Sequence, residues 1–132
     1  MEIRKIASVV LRLVAAAIMM QTLYFKFTGQ PESVYIFSQV GIEPWGRIGT
    51  GVAELVASGL LLYGGTVVLG AIMSIGIMLG AVATHLFILG IQVQGDHGQL
   101  FTYALIVLLA SFALLYLHAE QVSNLKTRLL KK

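Results

Sequence analysis

The chain has 132 residues, of which 58% are hydrophobic and 11% charged, and its mean hydropathy is +0.87. An ordinary soluble domain carries roughly a quarter of its residues as charges, so this chain lacks the charge to coat a water-soluble globule and reads as a membrane protein. The lack of cysteine removes disulfides, thiolate nucleophiles, Cys-ligated zinc and iron–sulfur clusters together.

A spanning helix takes about 20 mainly apolar residues, so four spans fit and no separate soluble domain does; residues 1–132 are expected to form a single membrane domain. The net charge of +3 and the pI near 9.4 do not point to nucleic acid, because the basic residues flank apolar runs. Arg4 and Lys5 precede the first, and Lys126, Arg128, Lys131 and Lys132 follow the last. Cytoplasmic flanks collect Lys and Arg, so both termini are expected inside, which requires an even number of spans. A basic start leading into residues 6–20 has the outline of a secretory signal. Arg12 interrupts that run and the apolar stretch continues beyond it, so a retained first span is expected.

In chain order, span one is expected over residues 6–27, crossing outward. A polar-punctuated segment follows, in which Pro31 and Glu32 suit the start of a short helix and Gly41 its end. This helix is expected to lie at the interface, with Tyr35 and Trp45 at headgroup level. Span two is expected over residues 47–63, and Gly64-Gly65-Thr66 reads as a tight inner turn. Span three is expected over 67–89, an outer loop over 90–98 carrying Asp96 and His97, and span four over 99–118. The basic tail from Ala119 is helix-permissive.

Charge within a bilayer costs several kcal/mol, so each intramembrane polar residue needs a partner or a function. At about 1.5 Å of rise per residue, Gln21 and His85 lie about 8 Å below the outer boundary, Glu54 about 11 Å and Arg12 roughly 21 Å. Lys26 sits at the outer end and can snorkel in either direction. Arg12, Met19 and Lys26 recur at sevens, while Arg47, Gly51, Glu54 and Ser58 make one helical stripe. Gly70, Ser74, Ala81 and His85 share another, and Gly76 and Gly80 form a small-residue step expected to face a helix. Glu54 is expected to face the interior and to meet Arg12, Gln21, Lys26 or His85. Its structural reading is an ion pair or hydrogen-bonded acid that sets helix register; its functional reading is ligand binding or proton handling. His85 alone reads as a satisfied core histidine, and beside Glu54 as a proton relay. His97 reads as a solvated loop residue and His118 as an interfacial one. His85 and His118 lie at opposite ends, which argues against bis-histidine haem. No HExxH, phosphate loop or Ser-His-Asp spacing appears, so no metal site is expected.

Arg12, Lys26 within Tyr24-Phe25-Lys26-Phe27-Thr28-Gly29, Pro31-Glu32-Ser33, Pro44-Trp45-Gly46-Arg47 through Glu54-Leu55, then His85 and Gly95-Asp96, together resemble the DoxX family of small four-helix membrane proteins. The resemblance runs from about Leu11 to Leu117. It implies an all-α four-helix transmembrane bundle in a bacterial cytoplasmic (inner) membrane, with both ends inside. It also implies an accessory role in quinone-linked redox chemistry, with quinone as the candidate cofactor and Arg12, Gln21, Lys26, Glu54 and His85 as candidate ligand-binding or proton-handling residues. Partners are then the lipid bilayer, quinone, and a protein partner or second copy. Without cysteine, a thiol or persulfide step within this subunit is in doubt. The alternative is a non-catalytic membrane protein that assembles or stabilises partners. A small-solute carrier is less favoured, because carriers show repeats and broken helices and no internal proline breaks a span.

Overall fold

In the computed structural model, which describes residues 2–131, helix α1 covers Glu2–Phe27, α2 Pro31–Val40, α3 Trp45–Leu62, α4 Val67–Thr84, α5 Gln99–Leu117 and α6 Ala119–Leu130. A 3-10 turn over Gly64–Thr66 joins α3 to α4, and α4 runs on into a wide π turn over His85–Leu89. No strand occurs among the described residues, so the fold is all-helical.

Local chemistry explains several of these boundaries. Helix α2 opens on Pro31, whose missing N–H costs nothing in a first turn. It closes at Gly41, which takes φ 89° so that its N–H reaches Phe37 O and Ser38 O. The turn after α3 is tied by Thr66, whose hydroxyl donates to Leu60 O at 2.8 Å. The third expected span differs in its last turn. The Gly90 N–H donates to His85 O at 2.7 Å, closing a ring one residue wider than an α-turn, and the α-helix therefore ends at Thr84.

Helix α1 packs against α3 and α5, and α4 packs against the same two, so each long helix touches two neighbours. Between them lie Ala15, Met19, Ala57, Leu61, Val67, Ala71, Val107 and Leu114, all buried. Small residues in that set allow the close helix approach on which association in lipid depends. The outward faces are apolar too: Val10, Leu13, Leu55, Leu69, Leu79, Leu109 and Phe112 are exposed. Such a continuous apolar exterior suits hydrocarbon and not water.

Glu2–Phe27, Gly64–Leu89 and Gln99–Leu117 are each long and apolar enough to cross a membrane. Helix α3 is diluted by Arg47, Glu54 and the glycines at 46, 49, 51 and 59.

Helices α3 and α4 approach closely at Gly70. A Cβ there would stand 2.8 Å from Leu61 N and 3.1 Å from Ala57 O. Ser74, one turn on, is fully buried and donates to Gly70 O at 2.7 Å. The expectation that Gly76 and Gly80 face a helix is corrected here. A Cβ on either meets nothing within 4 Å, because both border a cavity.

The loop between the π turn and α5 is organised by Asp96. Its carboxylate accepts from the N–H groups of Val93 at 3.0 Å, Gly98 at 2.8 Å and Leu100 at 3.1 Å. Burial works to raise the Asp96 pKa, but the hydrogen bonds from the three amides favour the ionised form, and the carboxyl titrates below the ordinary aspartate value.

Candidate functional site

A cavity of about 640 Å³ opens between the C-terminal half of α1, the N-terminal half of α3, the C-terminal end of α4 with its π turn, and the start of α5. Helix α2 rests on α1, α3 and the π turn and contributes Glu32, Ser33, Ile36, Phe37 and Val40 to the wall. The remaining surface is mainly apolar, from residues such as Ile18, Phe25, Ile77 and Met78. Gly76 and Gly80 supply room simply by having no side chain.

Glu54 is the buried acid of this cavity. The stripe Arg47, Gly51, Glu54 and Ser58 is buried throughout, which turns the carboxylate inward and leaves Glu54 3% exposed. Its partner is Lys26, with Nζ 2.7 Å from Oε1. The ammonium also donates to Thr22 Oγ1 at 3.1 Å, and the Thr22 hydroxyl lies 2.8 Å from Met19 O and 3.3 Å from Glu54 Oε2. A hydroxyl has one proton, so Thr22 donates to one of these acceptors at a time. Lysine, threonine and carboxylate thus form a closed network across α1 and α3. Mutual attraction with hydrogen bonds to the remaining atoms offsets the cost of taking both charges out of water.

His85 is buried at the start of the π turn and lines the same cavity. Its Nδ1 donates to Gly90 O at 3.0 Å, and its ring meets Phe101 edge to face with centroids 5.5 Å apart. With Nδ1 committed as donor, a neutral imidazole presents Nε2 as an acceptor. His85 has no hydrogen bond to Glu54; the two share the cavity without touching.

The other expected site residues separate. Gln21 lines the cavity and is exposed, while its neighbour Thr22 makes the hydrogen bond to Glu54. Arg12 does not reach Glu54. Its Nε donates to Leu61 O at 2.6 Å and its Nη2 to Leu62 O at 2.9 Å, because the last carbonyls of α3 lack helical partners and attract a cation.

Sequence reasoning missed the link between the two site helices. Arg47 holds Glu43 with Nε, at 2.8 and 3.0 Å to its two oxygens, and donates from Nη1 to Lys26 O at the end of α1. The spacing of Glu43 and Arg47, four apart with Pro44 between, was the available signal. Trp45, next in line, is 78% exposed on the outer surface. His97 is an exposed loop residue, and His118 is hydrogen-bonded to Ser8, Nε2 to Oγ 2.6 Å.

No curated protein and no solved structure matches the chain. A model of the DoxX family matches residues 7–87, more than half of the chain. That stretch holds the Lys26–Glu54 pair, Thr22, Arg47 and His85 and stops short of Asp96 and α5. With Thr22, Lys26, Glu54 and His85 around one cavity and the match running from α1 into the π turn, the chain is a membrane protein belonging to the DoxX family.

Proposed function

We propose that this protein is a four-helix transmembrane bundle with both termini on the cytoplasmic side of a bacterial inner membrane, and that its cavity binds a quinone in quinone-linked redox chemistry. Support for α3 as the fourth span comes from its orientation. Arg47 and Glu54 point inward, while Val52, Leu55, Val56 and Leu62 are exposed as a lipid-facing surface. On this topology α2 lies in the outer interface over the cavity mouth. A reporter fused after Lys132 is expected to be cytoplasmic, and one inserted beside Asp96 external. A periplasmic reporter at the C-terminus rejects the topology.

The observation that carries the ligand reading is a mainly apolar cavity of about 640 Å³ into which α1, α2, α3, α5 and the π turn each bring polar groups, Lys26, Glu54 and His85 among them. Small-molecule sites have this character, with volumes of about 300–1,000 Å³. A bound quinone supplies a flat apolar ring with two acceptor carbonyls and, when reduced, two hydroxyl donors. Lys26 Nζ and the Gln21 amide are the donors suited to a carbonyl oxygen. His85 Nε2 is the acceptor suited to a hydroxyl proton, and Glu54 balances the Lys26 charge.

Glu54→Gln keeps the shape and removes the ionisation. Binding of a short-chain quinone to the purified protein is expected to weaken about tenfold or more, because Lys26 loses the carboxylate that fixes its ammonium in place, with the fold retained. Unchanged binding after correction for stability rejects a ligand role for Glu54.

A second reading, a non-catalytic protein that assembles or stabilises partners, draws on the fact that Glu54 already has Lys26 and Thr22 as partners. Absence of any quinone binding by the unmodified protein favours it. A carrier has less support, since no proline interrupts α1, α3, α4 or α5.

A further inference from the structure

A second recess, of about 320 Å³, lies at the opposite end of the molecule from the cavity, between the start of α1 and the end of α5. Arg4, Lys5, Ser8, Arg12 and His118 line it. Three of these side chains are cationic, and among the described residues no carboxylate lines the recess. Two are held in place. Arg12 is pinned to the α3 carbonyls through Nε and Nη2, leaving Nη1 without a protein partner among the described residues. Arg4 sits with its guanidinium carbon 5.9 Å from the centroid of the Tyr116 ring. The Ser8–His118 hydrogen bond adds two further polar groups, one on each wall.

We infer that this recess binds the phosphate of an anionic phospholipid. Two held cations, Arg4 and Arg12, at a small recess suit a phosphate, because less freedom is lost when it binds. The surroundings select a lipid over a free ion. Val9 forms part of the wall, and Val9, Val10 and Leu13 continue down α1 as exposed apolar surface. A headgroup seated between Arg4, Lys5 and Arg12 therefore lays its acyl chains along α1, where water is already excluded. Basic recesses of this kind at the ends of membrane helices recognise anionic headgroups.

The test is native mass spectrometry of the full-length protein exposed in turn to phosphatidylglycerol, phosphatidylcholine and inorganic phosphate. Phosphatidylglycerol is expected to be retained about tenfold more than phosphatidylcholine, with no retention of inorganic phosphate. The double variant Arg4→Gln, Lys5→Gln changes only exposed side chains and is expected to abolish that preference without altering thermal stability. Lys126→Gln with Arg128→Gln, on α6, is expected to leave the preference intact. Equal retention of the two lipids overturns the proposal, as does an unchanged preference in the Arg4, Lys5 variant. Equal loss in the α6 variant shows a diffuse surface effect and also overturns it. Retention of inorganic phosphate to the same extent assigns the recess to free phosphate and overturns the lipid.

Discussion

Replacing Lys26 by methionine is expected to lower the stability of the detergent-solubilised protein by about 3 kcal/mol, the low end for removing one partner of a buried ion pair. The reason is the position of Glu54, which is 3% exposed and, among the described residues, has Lys26 alone to balance its charge. Methionine fills much of the lysine stem's volume, so the loss reports charge rather than a cavity. Lys26→Met combined with Glu54→Leu is expected to recover most of the loss, because no unpaired charge then remains. Thr22→Val, which removes the hydroxyl that accepts from Lys26 and donates to Met19 O or Glu54, is expected to cost about 1–2 kcal/mol. Unfolding in a denaturing detergent measures all three. If Lys26→Met unfolds like the unmodified protein, the ion pair does not hold α1 to α3.

Two glycines on one helix are expected to respond oppositely to a side chain. Gly70→Ala places a methyl 2.8 Å from a backbone nitrogen and 3.1 Å from a backbone oxygen of α3, and neither can rotate away. The helices must separate, at an expected cost of about 1–3 kcal/mol. Gly80→Leu meets nothing within 4 Å of its Cβ and is expected to leave thermal stability unchanged. Its side chain instead enters the cavity and should displace a ligand that needs that space. Comparing melting temperatures and quinone binding for the two variants separates packing from occupancy. A stable Gly70→Ala, or an unfolded Gly80→Leu, reverses the assignment of which face of α4 meets a helix.

The difference between these glycines shows where reading the chain stops. The sequence by itself determined that the protein is helical and apolar on all sides, because too few charges exist to coat a soluble surface. It determined the limits of α2, because Pro31 and Gly41 act through local backbone geometry alone. It also determined that Arg47, Gly51, Glu54 and Ser58 share a buried stripe, since helical periodicity places residues on a face without reference to anything else.

Only the tertiary structure decided what each face meets. Gly70, Gly76 and Gly80 have the same chemistry, yet one touches backbone and two face open space. Lys26 and Arg12 have side chains several ångströms long, so several partners lay within reach of each. Lys26 turned to Glu54, whereas Arg12 turned to Leu61 O and Leu62 O. Those acceptors are main-chain atoms present in every residue, and they become a cation site only where a helix ends beside the arginine. The cavity arose the same way, where the π turn and the start of α5 meet α1, α2 and α3 from far along the chain, because the space between elements depends on their relative placement and no local pattern records it.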